Sequence, residues 1–363
     1  MKRVLVIDDS ALMRRQLSEM LQQGGYEVQI ARNGEEGLSK IETFDPAVVT
    51  LDLNMPVMDG MTCLSLIMQQ CPRPVVMVSS LTEKGALATF EALELGAVDY
   101  LAKPGGTVSV NLREVKKELL SKVKAASMAR LSRPRSVQKR PSMPVKSRPV
   151  LQRPPPVAGQ AAEGVVLIGV STGGPRTLEE VICALPADFP LPILVAQHMP
   201  ASFTRLFAER LNKLSPLQIQ ELDKPTPLQA GTVLIAKGNA DMKVIRRSGR
   251  LMACLTPERA EFLWHPSVEY LAQSLQQTCD PKQVIAVQLT GMGSDGAEAM
   301  TQLHKQGART IAESEQTAVV YGMPRELVER GGAELVLPCD KIAAQLIRWA
   351  EEMPSEQKQR RMA

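Results

Sequence analysis

Closely spaced cysteine pairs are absent from this chain of 363 residues. Its six cysteines stand at 63, 71, 183, 254, 279 and 339. That scatter argues against a disulfide frame or a zinc cluster and fits reduced, mostly buried thiols. No apolar run approaches the length of a membrane span. The first residues, Met1-Lys2-Arg3-Val4-Leu5-Val6-Ile7-Asp8-Asp9, place acids where a secretory leader stays apolar. The protein is therefore expected in the cytoplasm, with no membrane insertion. Acidic residues are missing from 119–162, which holds ten Lys and Arg. The net charge of +4 thus belongs to that segment, and the rest of the chain is net negative. Within 125–162 there is also no aromatic residue. A basic arm without rings cannot stack on bases, which argues against a nucleic-acid partner.

What is present is organised by period. Residues 1–124 alternate short apolar runs (4–7, 28–31, 47–51, 75–78 and 98–101) with segments of helical spacing (12–21, 34–41, 61–68, 86–95 and 108–123). Five strands alternating with five helices predict a parallel sheet covered on both faces, a flavodoxin-like arrangement with its site at the carboxyl ends of the strands. Asp8 and Asp9 follow the first run, Asp52 the third, Ser79 and Ser80 the fourth, and Lys103 the fifth. Three carboxylates meeting at one edge favour a hard dication such as Mg²⁺. A Lys and a hydroxyl beside them are suited to holding a phosphoryl group on a carboxylate.

Those residues carry a resemblance. Val-Ile-Asp8-Asp9-Ser, Leu-Asp52-Leu-Asn54-Met-Pro56, Val-Ser79-Ser80 and Ala-Lys103-Pro104 resemble the receiver domain of two-component response regulators across 1–124. The resemblance implies Asp52 as the phospho-acceptor and a sensor histidine kinase as the phosphodonor. It implies Mg²⁺ held by Asp9, Asp52 and the Asn54 carbonyl, with Asp8 beside them. Ser79 and Lys103 would read the phosphate. Receivers often carry Thr where Ser79 stands, and Ser keeps the hydroxyl.

Residues 125–162 interleave Pro134, Pro141, Pro144, Pro149 and Pro154-Pro155-Pro156 with Arg, Lys, Ser and Gln. This composition predicts a solvated linker without a core. From 163 to 351 an α/β pattern resumes, expected as a doubly wound, mainly parallel domain. Four short pieces (217–222, 233–236, 242–246 and 251–255), split by glycine turns, suggest antiparallel hairpins within it. A polar tail is expected at 352–363.

The second domain turns on Gly169-Val170-Ser171-Thr172-Gly173-Gly174-Pro175, which joins a buried-strand pattern to a helical one. On its own this turn reads either as a serine nucleophile or as a phosphate cradle at a helix N-terminus. Two further apolar runs also end in polar residues, at Gln197-His198 and at Thr290-Gly291-Met292-Gly293-Ser294-Asp295. Of the three histidines, His304 falls within an amphipathic helix and His265 precedes Pro266 at a helix start, where a capping role is expected. Only His198 stands at a strand end. A serine needs a base, and an imidazole base needs a carboxylate to fix its tautomer. Ser171, His198 and Asp295 therefore form the candidate catalytic set.

Their chain order, Ser, His, Asp, is not that of lipase-like hydrolases. Together with Tyr321-Gly322-Met323-Pro324, these motifs resemble the catalytic domain of the chemotaxis protein-glutamate methylesterases, the CheB family. The resemblance implies hydrolysis of glutamate γ-methyl esters on methyl-accepting chemotaxis receptors through an acyl-enzyme, with glutamine deamidation by the same chemistry. No cofactor is expected in this domain. The N–H groups of Thr172 and Met292, in glycine-rich turns beside the set, are the expected oxyanion donors. One departure is Trp264-His265-Pro266-Ser267-Val268-Glu269, where many members have Arg-Pro-Ser-Val-Asp. The alternative function is a non-catalytic regulator whose second domain binds a phosphorylated ligand. The expected control is a receiver that covers the Ser171 cleft until Asp52 is phosphorylated.

Overall fold

The computed structural model describes residues 1–80, 82–103, 112–131 and 164–353. The chain divides into two compact units, Met1–Arg140 and Pro141–Ala363. The linker expected at 125–162 falls, from 132 onward, outside the described residues. So does the expected tail beyond Met353.

The first unit runs β1 (Arg3–Ile7), α1 (Ala11–Gln23), β2 (Glu27–Ala31), α2 (Gly34–Phe44), β3 (Val48–Asp52), α3 (Gly60–Gln70), β4 (Val75–Ser79), α4 (Glu83–Leu95), β5 (Asp99–Ala102) and α5 (Leu112–Ala126). All five strands are parallel, in the order β2-β1-β3-β4-β5. The side chains of β3 and β4 are buried throughout, as a strand covered by helices on both faces requires. The helices start on sequence-encoded caps. Ser10, Asn33, Asp59 and Thr82 each accept the N–H of the residue three further on, worth roughly 1 kcal/mol apiece. The chain order reverses direction between β1 and β3, which opens the crevice where such sheets bind ligands.

The second unit runs β6 (Val165–Val170), α6 (Gly174–Ile182), β7 (Ile193–Gln197), α7 (Ala201–Leu214), β8 (Gln218–Glu221), β9 (Thr226–Pro227), β10 (Thr232–Ile235), β11 (Asp241–Arg247), β12 (Arg250–Thr256), α8 (Val268–Thr278), β13 (Val284–Gln288), α9 (Ala297–Lys305), β14 (Arg309–Glu313), α10 (Met323–Glu329), β15 (Leu335–Leu337) and α11 (Cys339–Glu352). Seven strands form one parallel sheet, β15-β14-β13-β6-β7-β10-β8. The antiparallel part is smaller than the sequence suggested. Among the described residues only β11, β12 and the short β9 pair that way, whereas β8 and β10 pair in parallel in the main sheet. The return through β9 gives the chain room to cross over between β8 and β10, so glycine turns alone were a poor guide to direction.

The central strand β6 is buried at every position, each large apolar side chain contributing roughly 1.5–3 kcal/mol by transfer. It leads to β7 on one side, while β13, much later in the chain, adds on the other. The crevice at the carboxyl ends of β13 and β6 is the point where the winding reverses. No helix among the described residues is long and apolar enough to cross a membrane.

Candidate active site

Three neighbouring strands deliver three polar side chains to that crevice. Ser171 follows β6, His198 follows β7, and Asp295 lies in the turn after β13. The register puts Val170 opposite Gln197, so Ser171 and His198 emerge side by side. The His198 N–H is tied to the Val170 carbonyl at 3.1 Å, and the Ser171 N–H to the Thr290 carbonyl at 3.0 Å. Gln197 reinforces this edge by donating from Nε2 to the carbonyls of Ser171 (3.0 Å) and His198 (3.1 Å). Gly291 is needed for the approach: a Cβ there would lie 2.8 Å from the Ser171 Cβ, closer than side chains tolerate. Gly173, at φ 80°, takes the left-handed backbone that begins α6.

His198 Nε2 meets Asp295 Oδ2 at 2.7 Å. The imidazole is 6% exposed and the carboxylate 9%. Asp295 is fastened from the far side by the N-terminus of α8. Its Oδ2 accepts the Val268 N–H at 2.8 Å, and its Oδ1 accepts the Glu269 N–H at 2.9 Å and the Ser267 hydroxyl at 3.1 Å. Burial pushes the Asp295 carboxyl up, but the His198 bond and charge and the two backbone donors outweigh it. The group is held below the usual range. A fixed anion of this kind orients the ring and stabilises an imidazolium. The Trp264 ring stacks on the imidazole at 5.2 Å between centroids and 16° between planes. His198 Nδ1 is buried and has no hydrogen-bond partner among the described residues. Among the described residues no hydrogen bond engages the Ser171 hydroxyl or the Met292 N–H, so both are available to a ligand. Thr172 is buried, and Met292 is partly exposed in the turn after β13.

Sequence reasoning passed over Trp264, Ser267 and the backbone of α8, because only the folded chain brings the 264–269 segment to Asp295. His265, expected to cap a helix, instead meets the buried Asp241 carboxylate through Nδ1 at 3.0 Å. Asp241 also accepts the Ser267 N–H at 2.8 Å. Ser267 is itself the cap of α8, accepting the Tyr270 N–H. Glu269 spans to α9, accepting the Ala299 N–H at 3.1 Å. A polar cleft of about 790 Å³ between β11 and α8 is lined by Lys243, Arg246, Arg259 and Tyr270 and holds none of the three central residues.

In the first unit, one ligand atom each from Asp8, Asp9 and Asp52 lies within 4.8 Å of the others. Asp8 and Asp52 are buried. Lys103 Nζ pairs with Asp52 at 2.7 Å and with Asp8 at 3.1 Å. Burial, followed by the Asp8 charge, pushes the Asp52 carboxyl up despite Lys103 and the Asn54 N–H. Burial also opposes the charge on Lys103, but the two carboxylates outweigh it and raise that group. Asn54 is exposed and donates its N–H to Asp52 Oδ1 at 3.4 Å. The Ser79 hydroxyl is buried and donates to the carbonyls of Ser80 (3.3 Å) and Gly85 (3.2 Å), at the start of α4.

Residues 166–346 match the family model described as CheB methylesterase, and residues 4–112 that of the response regulator receiver domain. The chain is 52% identical over 356 residues to protein-glutamate methylesterase/protein-glutamine glutaminase 3 of Rhodospirillum rubrum, covering 96% of each chain. It is 47% identical over 362 residues to protein-glutamate methylesterase/protein-glutamine glutaminase 2 of Rhodopseudomonas palustris, covering 96% of this chain and 98% of the relative. The corresponding protein of Caldanaerobacter subterraneus is 46% identical over 357 residues, with 96% and 97% covered. These relatives do not favour the alternative of a non-catalytic regulator. With a receiver domain ahead of its catalytic domain and this likeness along nearly its whole length, the chain belongs to the CheB methylesterase family.

Proposed function

We propose that this protein hydrolyses glutamate γ-methyl esters on methyl-accepting chemotaxis receptors, and deamidates glutamine by the same route, under control of phosphate on Asp52. The observation that carries the reading is the His198–Asp295 bond at 2.7 Å beside an unengaged Ser171 hydroxyl. Ser171 Oγ attacks the ester carbonyl and passes its proton to His198. Since Nε2 is taken by Asp295, the accepting atom is Nδ1. The resulting imidazolium lies between the Asp295 carboxylate and the Trp264 ring, both of which favour its charge. The N–H groups of Thr172 and Met292 take the oxyanion. Collapse of the tetrahedral adduct releases methoxide, which leaves as methanol with the His198 proton. Water, deprotonated by His198, then frees the glutamate. With a glutamine side chain the leaving group is ammonia.

In the receiver, Asp52 accepts the phosphoryl group from a sensor histidine kinase. The carboxylates of Asp8, Asp9 and Asp52 and the Asn54 carbonyl form an all-oxygen set that suits Mg²⁺. When bound, that ion supplies charge neutralisation for phosphoryl transfer. Lys103 takes one phosphoryl oxygen. Ser79 takes another by turning from the Gly85 carbonyl, which carries the signal to the start of α4. The boundaries that serve this scheme are a receiver over 1–124, a tether over 125–162 and a catalytic domain over 163–351, acting in the cytoplasm. A fluorophosphonate probe tests the nucleophile. It is expected to label Ser171 alone, and an unlabelled Ser171 in active protein contradicts the assignment.

A further inference from the structure

Behind the reacting edge lies a carboxyl group that the reaction leaves unused. Glu313 closes β14 and is fully buried. Its Oε2 accepts the Thr290 N–H at 2.8 Å, and its Oε1 accepts the Thr317 hydroxyl at 2.9 Å. Thr290 is in turn the hub of the crevice floor. Its hydroxyl donates to the Thr172 carbonyl and accepts the Val320 N–H, both at 2.9 Å. Its carbonyl takes the Ser171 N–H, and the Val320 carbonyl takes the Gly291 N–H at 3.0 Å. One carboxyl therefore stands behind the two chain segments that carry Thr172 and Met292.

Resting on the acyl-enzyme reading above, we propose that Glu313 is a positioning residue. Its carboxylate holds Thr290, and through it the Thr172 and Met292 N–H groups, in the geometry that receives the oxyanion.

Both hydrogen bonds run from a donor to the carboxylate, so the ionised form keeps both. Protonation turns one acceptor oxygen into a donor and loosens the turn. The titratable groups facing Glu313 are Glu180 from α6 and Cys339 from α11, and no cation pairs with it among the described residues. Burial, with the Glu180 charge adding to it, pushes the Glu313 carboxyl up to about 7 against the two donors. The turn is thus set and released across the neutral range.

The test is methanol release by the full-length protein from a methylated receptor signalling domain, from about pH 5.5 to about 9. In the wild type the acid side of the kcat profile carries a component from Glu313, centred near neutral pH. Glu313→Leu leaves the Thr290 N–H buried without an acceptor, and kcat falls roughly 10- to 100-fold with KM little changed. Glu313→Gln restores an acceptor oxygen, recovers the larger part of the alkaline rate and removes the Glu313 component from the acid limb. Should the leucine variant fail to fold, Thr317→Val decides. It removes one donor from the carboxylate and is expected to move the acid limb to higher pH. A wild-type pH profile in Glu313→Gln, a wild-type kcat in Glu313→Leu or an unmoved limb in Thr317→Val overturns the proposal. Activity in Ser171→Ala would instead overturn the acyl-enzyme reading on which it rests.

Discussion

His198 turns Nε2, not Nδ1, toward Asp295, at 2.7 Å. The nitrogen left for the serine proton is therefore Nδ1, which is buried and has no partner among the described residues. This places the proton-accepting atom next to the imidazole's own Cβ stem. The backbone of β7, which fixes that stem, then matters as much to proton transfer as the carboxylate does.

Asp295→Asn should leave the fold intact, because the amide oxygen still accepts one of the Val268 and Glu269 N–H groups and Asp241 still holds the Ser267 N–H. It should lower esterase turnover by about 10⁴-fold, since an amide cannot stabilise the imidazolium or select its tautomer. Steady-state methanol release checks this, with the circular dichroism spectrum as the fold control. A fall of less than about tenfold contradicts the role given to the carboxylate.

Trp264→Ala removes the ring stacked on His198. Turnover should fall roughly tenfold, consistent with about 1–2 kcal/mol of ring–cation attraction, while labelling of Ser171 persists. An unchanged kcat shows that the ring does not act on the imidazolium.

Glu313 also links pH to stability. Burial raises its carboxyl in the folded state to about 7, well above the usual carboxylate range near 4.5, so folding favours the protonated form. That favour is present in full below about pH 4.5 and is lost as pH rises toward 7, leaving a destabilisation of about 3 kcal/mol above it. Glu313→Gln should therefore raise the Tm of the catalytic domain at pH 8 and have little effect at pH 5. Equal shifts at both pH values contradict the buried carboxylate.

The sheet layouts were legible in the sequence because strands buried on both faces are continuous apolar runs, as in 165–168 and 284–287. The strand-end polar residues were legible for the same reason: Asp8, Asp52, Lys103, Ser171 and His198 each interrupt or follow such a run. What stayed hidden depends on contacts between distant segments. Asp241 reads as an ordinary strand-start acid, yet it holds His265 and the Ser267 N–H. Glu313 reads as a strand-end charge, yet it is enclosed. The β8 and β10 pieces carry no local mark of parallel pairing, so glycine turns made them look like hairpins.

Asp52→Asn tests the control exerted by the receiver. Acetyl phosphate with Mg²⁺ should stimulate methanol release by the full-length protein and leave the variant at its resting rate. Equal stimulation of both would separate control from Asp52.

The most direct test compares wild type and Ser171→Ala on a methylated receptor signalling domain, with methanol measured and the quenched enzyme examined by mass spectrometry. Methanol release and a receptor acyl adduct on Ser171 are expected in the wild type, with a loss of about 10⁴-fold or more in the variant. Methanol release near the wild-type rate by a folded Ser171→Ala protein would contradict Ser171 as the nucleophile.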